Sequence, residues 1–125
     1  MIRRFRVNAP AANAVVANIA EFRPRPGSYD LVFAWGVLFH LPAAAQLAAL
    51  ANAARALRLG GLLLFTSGRI AGRATGSVGP LRVEHVCLGY DGYDHALRGH
   101  GMEQVSCSDD DLDNTVYLYR KQKSV

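Results

Sequence analysis

Two runs of almost unbroken apolar residues constrain this chain more than any other feature: Tyr29-Asp30-Leu31-Val32-Phe33-Ala34-Trp35 and Gly61-Leu62-Leu63-Leu64-Phe65-Thr66. Neither alternates apolar with polar, so neither suits a strand with one wet face. Continuous hydrophobicity fits strands covered on both sides, as in a parallel sheet between helices. The segment between the two runs reads as a helix. Pro42 opens it, because its fixed φ suits a first turn and it has no N–H to leave unpaired. Leu47, Leu50, Ala54 and Leu57 recur every three or four residues and share one face, with Gln46, Asn52 and Arg55 elsewhere on the surface. Gly60-Gly61 ends the helix, since glycine accepts a left-handed backbone at no steric cost. Strand, helix and strand then make a right-handed crossover of parallel strands, the unit of an α/β layer architecture.

The flanking segments extend this pattern. Ala14 to Ile19 reads as a short strand, and Glu21 to Ser28, with Pro24, Pro26 and Gly27, as a loop. Ser67 to Val83, which holds Gly68, Gly72, Gly76 and Gly79, is expected to be a long functional or mobile loop. Asp91 is placed to cap a short helix running to Leu97 and Arg98, with Asp94 as its capping-box partner and Gly101 at its end. Glu103 to Cys107 and Thr115 to Tyr119 read as the last two strands. The final one alternates, so one of its faces is expected to be less buried.

Composition excludes several classes. The chain has 125 residues, 50% of them hydrophobic and 19% charged, with a formal net charge of +4. That describes one globular domain, residues 1–125 with a core over 14–121, able to bury a real interior. The start, Met1-Ile2-Arg3-Arg4-Phe5-Arg6, has no apolar segment of signal-peptide type behind it. No stretch reaches the ~20 unbroken apolar residues of a membrane span, so a cytoplasmic protein is expected. Cys87 and Cys107 fit no metal or redox spacing and read as free thiols. Arg3, Arg4 and Arg6 make one basic patch, and Arg120, Lys121 and Lys123 another. Asp109, Asp110, Asp111 and Asp113 oppose them as a solvated acidic turn. A nucleic-acid binder would carry a denser basic face. His40, His85, Cys87 and Cys107 could ligate a metal by type, but no pair has a diagnostic spacing. The glycine-rich segment lacks the GK[ST] of a phosphate loop.

Three stretches in this order resemble class I S-adenosylmethionine (SAM) dependent methyltransferases. Ser28 to Pro42 is similar to the family's fourth strand, where an "fDlV" run enters a "vlhHl" segment. Arg55-Ala56-Leu57-Arg58-Leu59-Gly60-Gly61 is similar to its "R-x-L-k-P-G-G" turn, with Leu59 where proline is usual. The helix, Gly101-Met102 turn and two last strands are similar to its terminal antiparallel hairpin. Phe39-His40-Leu41, Thr66-Ser67-Gly68 and Thr115-Val116-Tyr117-Leu118 resemble a bacterial subgroup acting on small molecules. The resemblance implies a partial Rossmann-like sheet, mostly parallel with a C-terminal antiparallel hairpin. It also implies SAM as cofactor and a small-molecule methyl acceptor. The family's glycine-rich strand–loop–helix is not found, so the resemblance places the start of this chain after the first two strands. The missing neighbour would leave the Tyr29–Trp35 strand with an open apolar edge, available to the Ala14–Ile19 strand or to a second copy. A non-catalytic interaction module built on such a half-domain is the competing reading.

The resemblance also nominates residues. Asn18 stands where an acid often binds the adenine amino group, and its carbonyl could accept that bond; Ile19 would flank the ring. A strand-end Asn making a turn is the alternative. Ala34, Trp35 and Gly36 close the first apolar strand, at the carboxyl end where ligands of such sheets bind. They would line the methionine part of SAM, with Trp35 either pocket wall or core filler. Phe39, His40 and His85 are nominated to contact the acceptor. His40 is also the candidate general base, imidazole being suited to proton transfer near neutrality; its alternative is to satisfy a backbone group at the helix start. Asp30, at the opposite end of its strand, is expected to be structural. His95 and His100 are expected to be solvated.

Overall fold

The structure is a computed structural model that describes residues 25–78, 81–110 and 115–123. Strand β1 (Tyr29–Ala34) leads through a single 3-10 turn (Leu38–His40) into helix α1 (Ala43–Ala56) and strand β2 (Leu57–Ser67). Strands β3 (Gly72–Val78) and β4 (Leu81–Cys87) follow, then helix α2 (Gly89–Arg98) and strands β5 (Met102–Asp109) and β6 (Thr115–Lys121). The main sheet has the order β1-β2-β6-β5. β1 and β2 are parallel, as the helical crossover between them allows. β6 is antiparallel to both β2 and β5, which is the expected terminal hairpin. The described sheet is therefore mixed. The strand expected at Ala14–Ile19 lies outside the described residues.

One face of this sheet carries the core. Val32 and Ala34 of β1, Leu63 and Phe65 of β2, and Tyr119 and Tyr117 of β6 fall in register across it. Both helices pack there, α1 through Ala49, Leu50, Ala53 and Ala54, and α2 through Tyr93 and Leu97. Phe65 stacks on Tyr117 with ring centroids 4.8 Å apart, and Tyr93 meets both rings edge-on. Burying a tyrosine requires a partner for its hydroxyl. Tyr117 donates to the Gly68 carbonyl at 3.0 Å and Tyr119 to Asp94 Oδ1 at 2.8 Å. The expected alternation of β6 holds: Thr115, Tyr117 and Tyr119 are buried, and Val116 and Leu118 only half-buried.

The structure corrects five local expectations. Helix α1 ends at Ala56, before the glycine pair, because Leu57 is already extended and pairs with Tyr29. Gly60, at φ 84°, instead bulges β2: β1 advances from Tyr29 to Leu31 while β2 advances from Leu57 to Leu62. The buried face of α1 is mostly alanine, with Leu47 exposed, and it includes Gln46 and Asn52, which had been expected on the surface. The segment Ser67–Val83 is not a loop; it holds β3 and pairs back on β4 as a separate two-stranded sheet. Backbone pairing needs no side chain, so glycines that weaken a strand do not forbid a ribbon. No side chain caps α2; Asp91 lies in its first turn, where a carboxylate suits the helix dipole, and Asp94 binds Tyr119 and Arg98. Finally, β1 is not buried on both faces: Leu31 and Phe33 are 45% and 44% exposed.

The buried tyrosines make stability depend on alkaline pH. Burial raises the pKa of Tyr93, Tyr117 and Tyr119 above the ordinary 10.0; for Tyr119 the bond to Asp94 adds to the effect. Above pH 10 the unfolded chain therefore loses phenolic protons that the folded chain keeps, and stability falls as pH rises. Urea midpoints should stay unaffected by these groups below about pH 9 and drop steadily above pH 10. Replacing Tyr117 by Phe should make that alkaline drop shallower.

Candidate functional site

The site is built at the carboxyl ends of β1 and β2. β1 ends in Ala34, which is buried, and the chain turns at Trp35 and Gly36. Gly36 has φ 70°, a conformation that side chains resist. Its N–H donates to Thr66 Oγ1 at 2.7 Å, which ties the turn after β1 to the end of β2. Leu38 is buried and anchors the following 3-10 turn; Phe39 is half-buried and His40 exposed.

Strand β4 brings the third residue of an aromatic group. The ring of His85 lies 5.0 Å from that of Phe39 and 5.1 Å from that of His40, while Phe39 and His40 are 4.6 Å apart. The three residues nominated for the acceptor thus meet, although 45 positions separate His40 from His85 in sequence. Helix α1 has Pro42 as its N-cap, which makes no side-chain capping bond. Trp35 stacks on Phe33 at 6.1 Å and is half-buried. Asn18 and Ile19 lie outside the described residues.

Beneath this group runs a buried polar chain that sequence reasoning missed. Tyr93 donates its hydroxyl proton to Gln46 Oε1 at 2.6 Å. The Gln46 amide nitrogen donates to the carbonyls of Leu41, at 2.9 Å, and Val86, at 2.6 Å. Ser67 Oγ lies 2.5 Å from the Tyr93 hydroxyl, which has already spent its proton, so Ser67 is the donor there. The only sequence signal for this chain was a glutamine set among the alanines and leucines of α1.

The other candidates separate cleanly. Asp30 pairs with Arg58 at the amino end of β1, and both side chains are more than half exposed, a structural arrangement of little energetic weight. His95 is exposed and His100 half-buried. Cys87 and Cys107 are free thiols; burial pushes the Cys107 thiol up. Among the described residues no three His, Cys, Asp or Glu side chains are placed to hold a metal. Asp109 is not simply solvated: it pairs with Arg69 at 3.3 Å and accepts from Thr115 Oγ1 at 3.0 Å. These residues, with Gly68, Ile70 and Asp110, line an open groove of about 390 Å³ at the same end of the sheet.

The comparisons with known proteins agree with this fold. A family model described as a methyltransferase domain matches residues 1–61, just under half of the chain. No curated protein matches. Solved structures show the fold. A SAM-dependent methyltransferase of Methanosarcina mazei superposes with a TM-score of 0.70 at 12% identity, covering 86% of this chain and 66% of that one. The 1,6-didemethyltoxoflavin-N1-methyltransferase of Burkholderia thailandensis, solved with 1,6-didemethyltoxoflavin and S-adenosylhomocysteine bound, gives 0.68 at 15% identity, covering 97% and 56%. The [4+2]-cyclase SpnF gives 0.63 at 16% identity, covering 95% and 59%. The chain thus spans less than two thirds of each of these proteins. The match over residues 1–61 is similar to a methyltransferase domain, and the fold is a partial Rossmann-like one shared with the SAM-dependent methyltransferases above.

The Gly36–Thr66 bond gives the site a direct test. Replacing Thr66 by Val keeps the shape and removes the acceptor, leaving a half-buried N–H without its partner. Stability should fall by about 1 kcal/mol in urea titrations. Hydrogen exchange at the Gly36 amide should accelerate more than at Leu64, in the middle of the same strand.

Proposed function

We propose that the site performs SAM-dependent methyl transfer to a small-molecule acceptor. The meeting of Phe39, His40 and His85 at the carboxyl ends of β1 and β2 carries this reading. Ligands of open α/β sheets bind beyond those ends. An exposed imidazole beside a half-buried phenyl ring and a second imidazole makes an amphipathic wall, suited to a flat or aromatic acceptor with an ionisable nucleophile. His40 is the group placed to take the acceptor's proton, with His85 and Phe39 holding the acceptor against it.

The residues present fit the methionine side of SAM. A Cβ built on Gly36 would meet no other group within 4 Å, so the end of β1 opens onto free space. Ala34, Trp35 and Gly36 would hold that part of the cofactor, and Asn18 and Ile19 are proposed for adenine. SAM supplies an electrophilic methyl group on sulfonium. What these side chains contribute is alignment and a proton acceptor, because methyl transfer depends more on geometry than on acid–base help. Because the chain spans only part of the length of the methyltransferases it superposes on, it is proposed to bind SAM weakly by itself. No helix among the described residues is long and apolar enough to cross a membrane, and a cytoplasmic setting is proposed.

A second reading rests on a separate observation. The sheet face opposite the helices carries Leu31, Phe33, Leu62, Leu64, Val116 and Leu118, and none of them is fully buried. A non-catalytic module that pairs with a second copy would use that face and the adjoining edge of β1.

Two measurements check these readings. Titration calorimetry with S-adenosylhomocysteine should show binding that is preserved in His40→Ala, while methyl transfer to aromatic acceptors falls at least about 100-fold in that variant. Absence of binding at millimolar ligand in a folded sample would remove methyl transfer as this chain's own activity. For the second reading, light scattering should find a dimer that Phe33→Glu converts to monomer; a monomeric wild type would end it.

A further inference from the structure

The buried polar chain points to a residue that acts on the site without touching the acceptor. We propose that Gln46 is a positioning residue, whose side-chain amide sets the separation of His40 and His85. The inference rests on the function proposed above and names what builds its acceptor wall.

The two carbonyls that the amide holds belong to Leu41 and Val86, the residues immediately after His40 and His85. One nitrogen therefore grips both histidine-bearing segments at the same time. These segments come from different parts of the fold. His40 lies in the turn between β1 and α1, and His85 lies in β4, which pairs with β3 and is not a strand of the main sheet. No ladder of the main sheet joins the two segments, whereas the planar amide of Gln46 bonds to both.

The direction of every bond is forced. Carbonyls only accept, so the amide nitrogen must face Leu41 and Val86 and the amide oxygen must face Tyr93. Tyr93 has one proton and gives it to that oxygen, and Ser67 donates to Tyr93 in turn. The chain runs one way, from the end of β2 through α2 and α1 to the two histidine segments. Gln46 is fully buried, so water does not substitute for any of its partners. A buried amide with all its bonds made is rigid, and one with a bond missing is costly. Leucine at this position would fill a similar volume but release both carbonyls. Phenylalanine at Tyr93 would remove the orienting bond and leave both grips on the carbonyls in place.

Nuclear magnetic resonance of the full chain reads this directly. In the wild type, both Gln46 side-chain amide protons should exchange slowly, and an Overhauser contact should join the rings of His40 and His85. Gln46→Leu should abolish the ring contact. Tyr93→Phe should retain the contact despite a comparable loss of stability. Where methyl transfer is measured, Gln46→Leu should lower kcat by about 10-fold or more with little change in KM for SAM. Fast exchange of the wild-type Gln46 amide protons overturns the proposal even if the variants do not fold. A ring contact of full intensity in folded Gln46→Leu overturns it as well. A wild type that methylates nothing would instead remove the proposed function, and the two ring-contact results would still decide the role of Gln46.

Discussion

The pairing of β2 on both its sides is the constraint from which the other elements take their places. It bonds β1 in parallel and β6 antiparallel, with Phe33 and Tyr117 flanking Leu64 and Phe65 in the ladders. A parallel neighbour requires a crossover, so α1 must lie against the sheet, and its alanine face lets it approach closely. β6 reaches its antiparallel place beside β2 by way of β5, with which it pairs antiparallel on its other side. Phe65 then sits where α1, α2 and β6 converge, and the tyrosines around it can be buried only because each hydroxyl finds an acceptor. The same strand also ends in Thr66 and Ser67. Thr66 fixes the turn after β1, and Ser67 begins the polar chain that reaches the histidines. Core and site are thus two uses of one strand.

Much of this was legible in the sequence. The continuous apolar runs identified a parallel pair, and the proline and the helical spacing located α1 between them. The resemblance carried by Ser28–Pro42 and Arg55–Phe65 pointed to the methyltransferase fold. It also nominated Phe39, His40 and His85 together, although no spacing rule connects a residue in a 3-10 turn with one in a distant hairpin. What the sequence concealed has physical reasons. Glycine-rich β3 has low strand propensity, and its pairing with β4 comes from backbone geometry that composition does not record. Polarity alone assigns Gln46 and Asn52 to the surface, whereas both are buried. A buried amide is tolerated when its partners are supplied by other segments, and for Gln46 these are Tyr93, Leu41 and Val86, which lie 47, 5 and 40 residues away. The run at β1 implied two buried faces, yet the described helices cover only one.

The neighbours in structure limit what the fold can be asked to decide. Methyltransferases and a [4+2]-cyclase share this architecture at identities of 12–16%. A common sheet therefore fixes where a ligand lies, beyond the carboxyl ends of the parallel strands, and leaves open what happens to it. The reaction has to be argued from side chains. A cyclisation asks for shape and orientation alone, whereas alkylation of a nucleophile benefits from a group that removes its proton. On the function proposed above, the fully satisfied buried amide of Gln46 would serve proton transfer and alignment at this end of the sheet.

The two faces of the sheet then make opposite demands on the chain. The helix-covered face is closed, satisfied and rigid, and it delivers fixed geometry to the histidines through Tyr93 and Gln46. The other face carries six apolar side chains from β1, β2 and β6 without full cover, and such a surface gains free energy from any partner that removes it from water. A contact on that face would clamp β1 and β2 from behind. Those are the strands whose ends hold Gly36, Thr66 and Ser67, so covering the second face would stiffen the site on the first without adding a residue to it. Catalytic geometry and association, offered above as competing readings, are on this argument mechanically joined through β2.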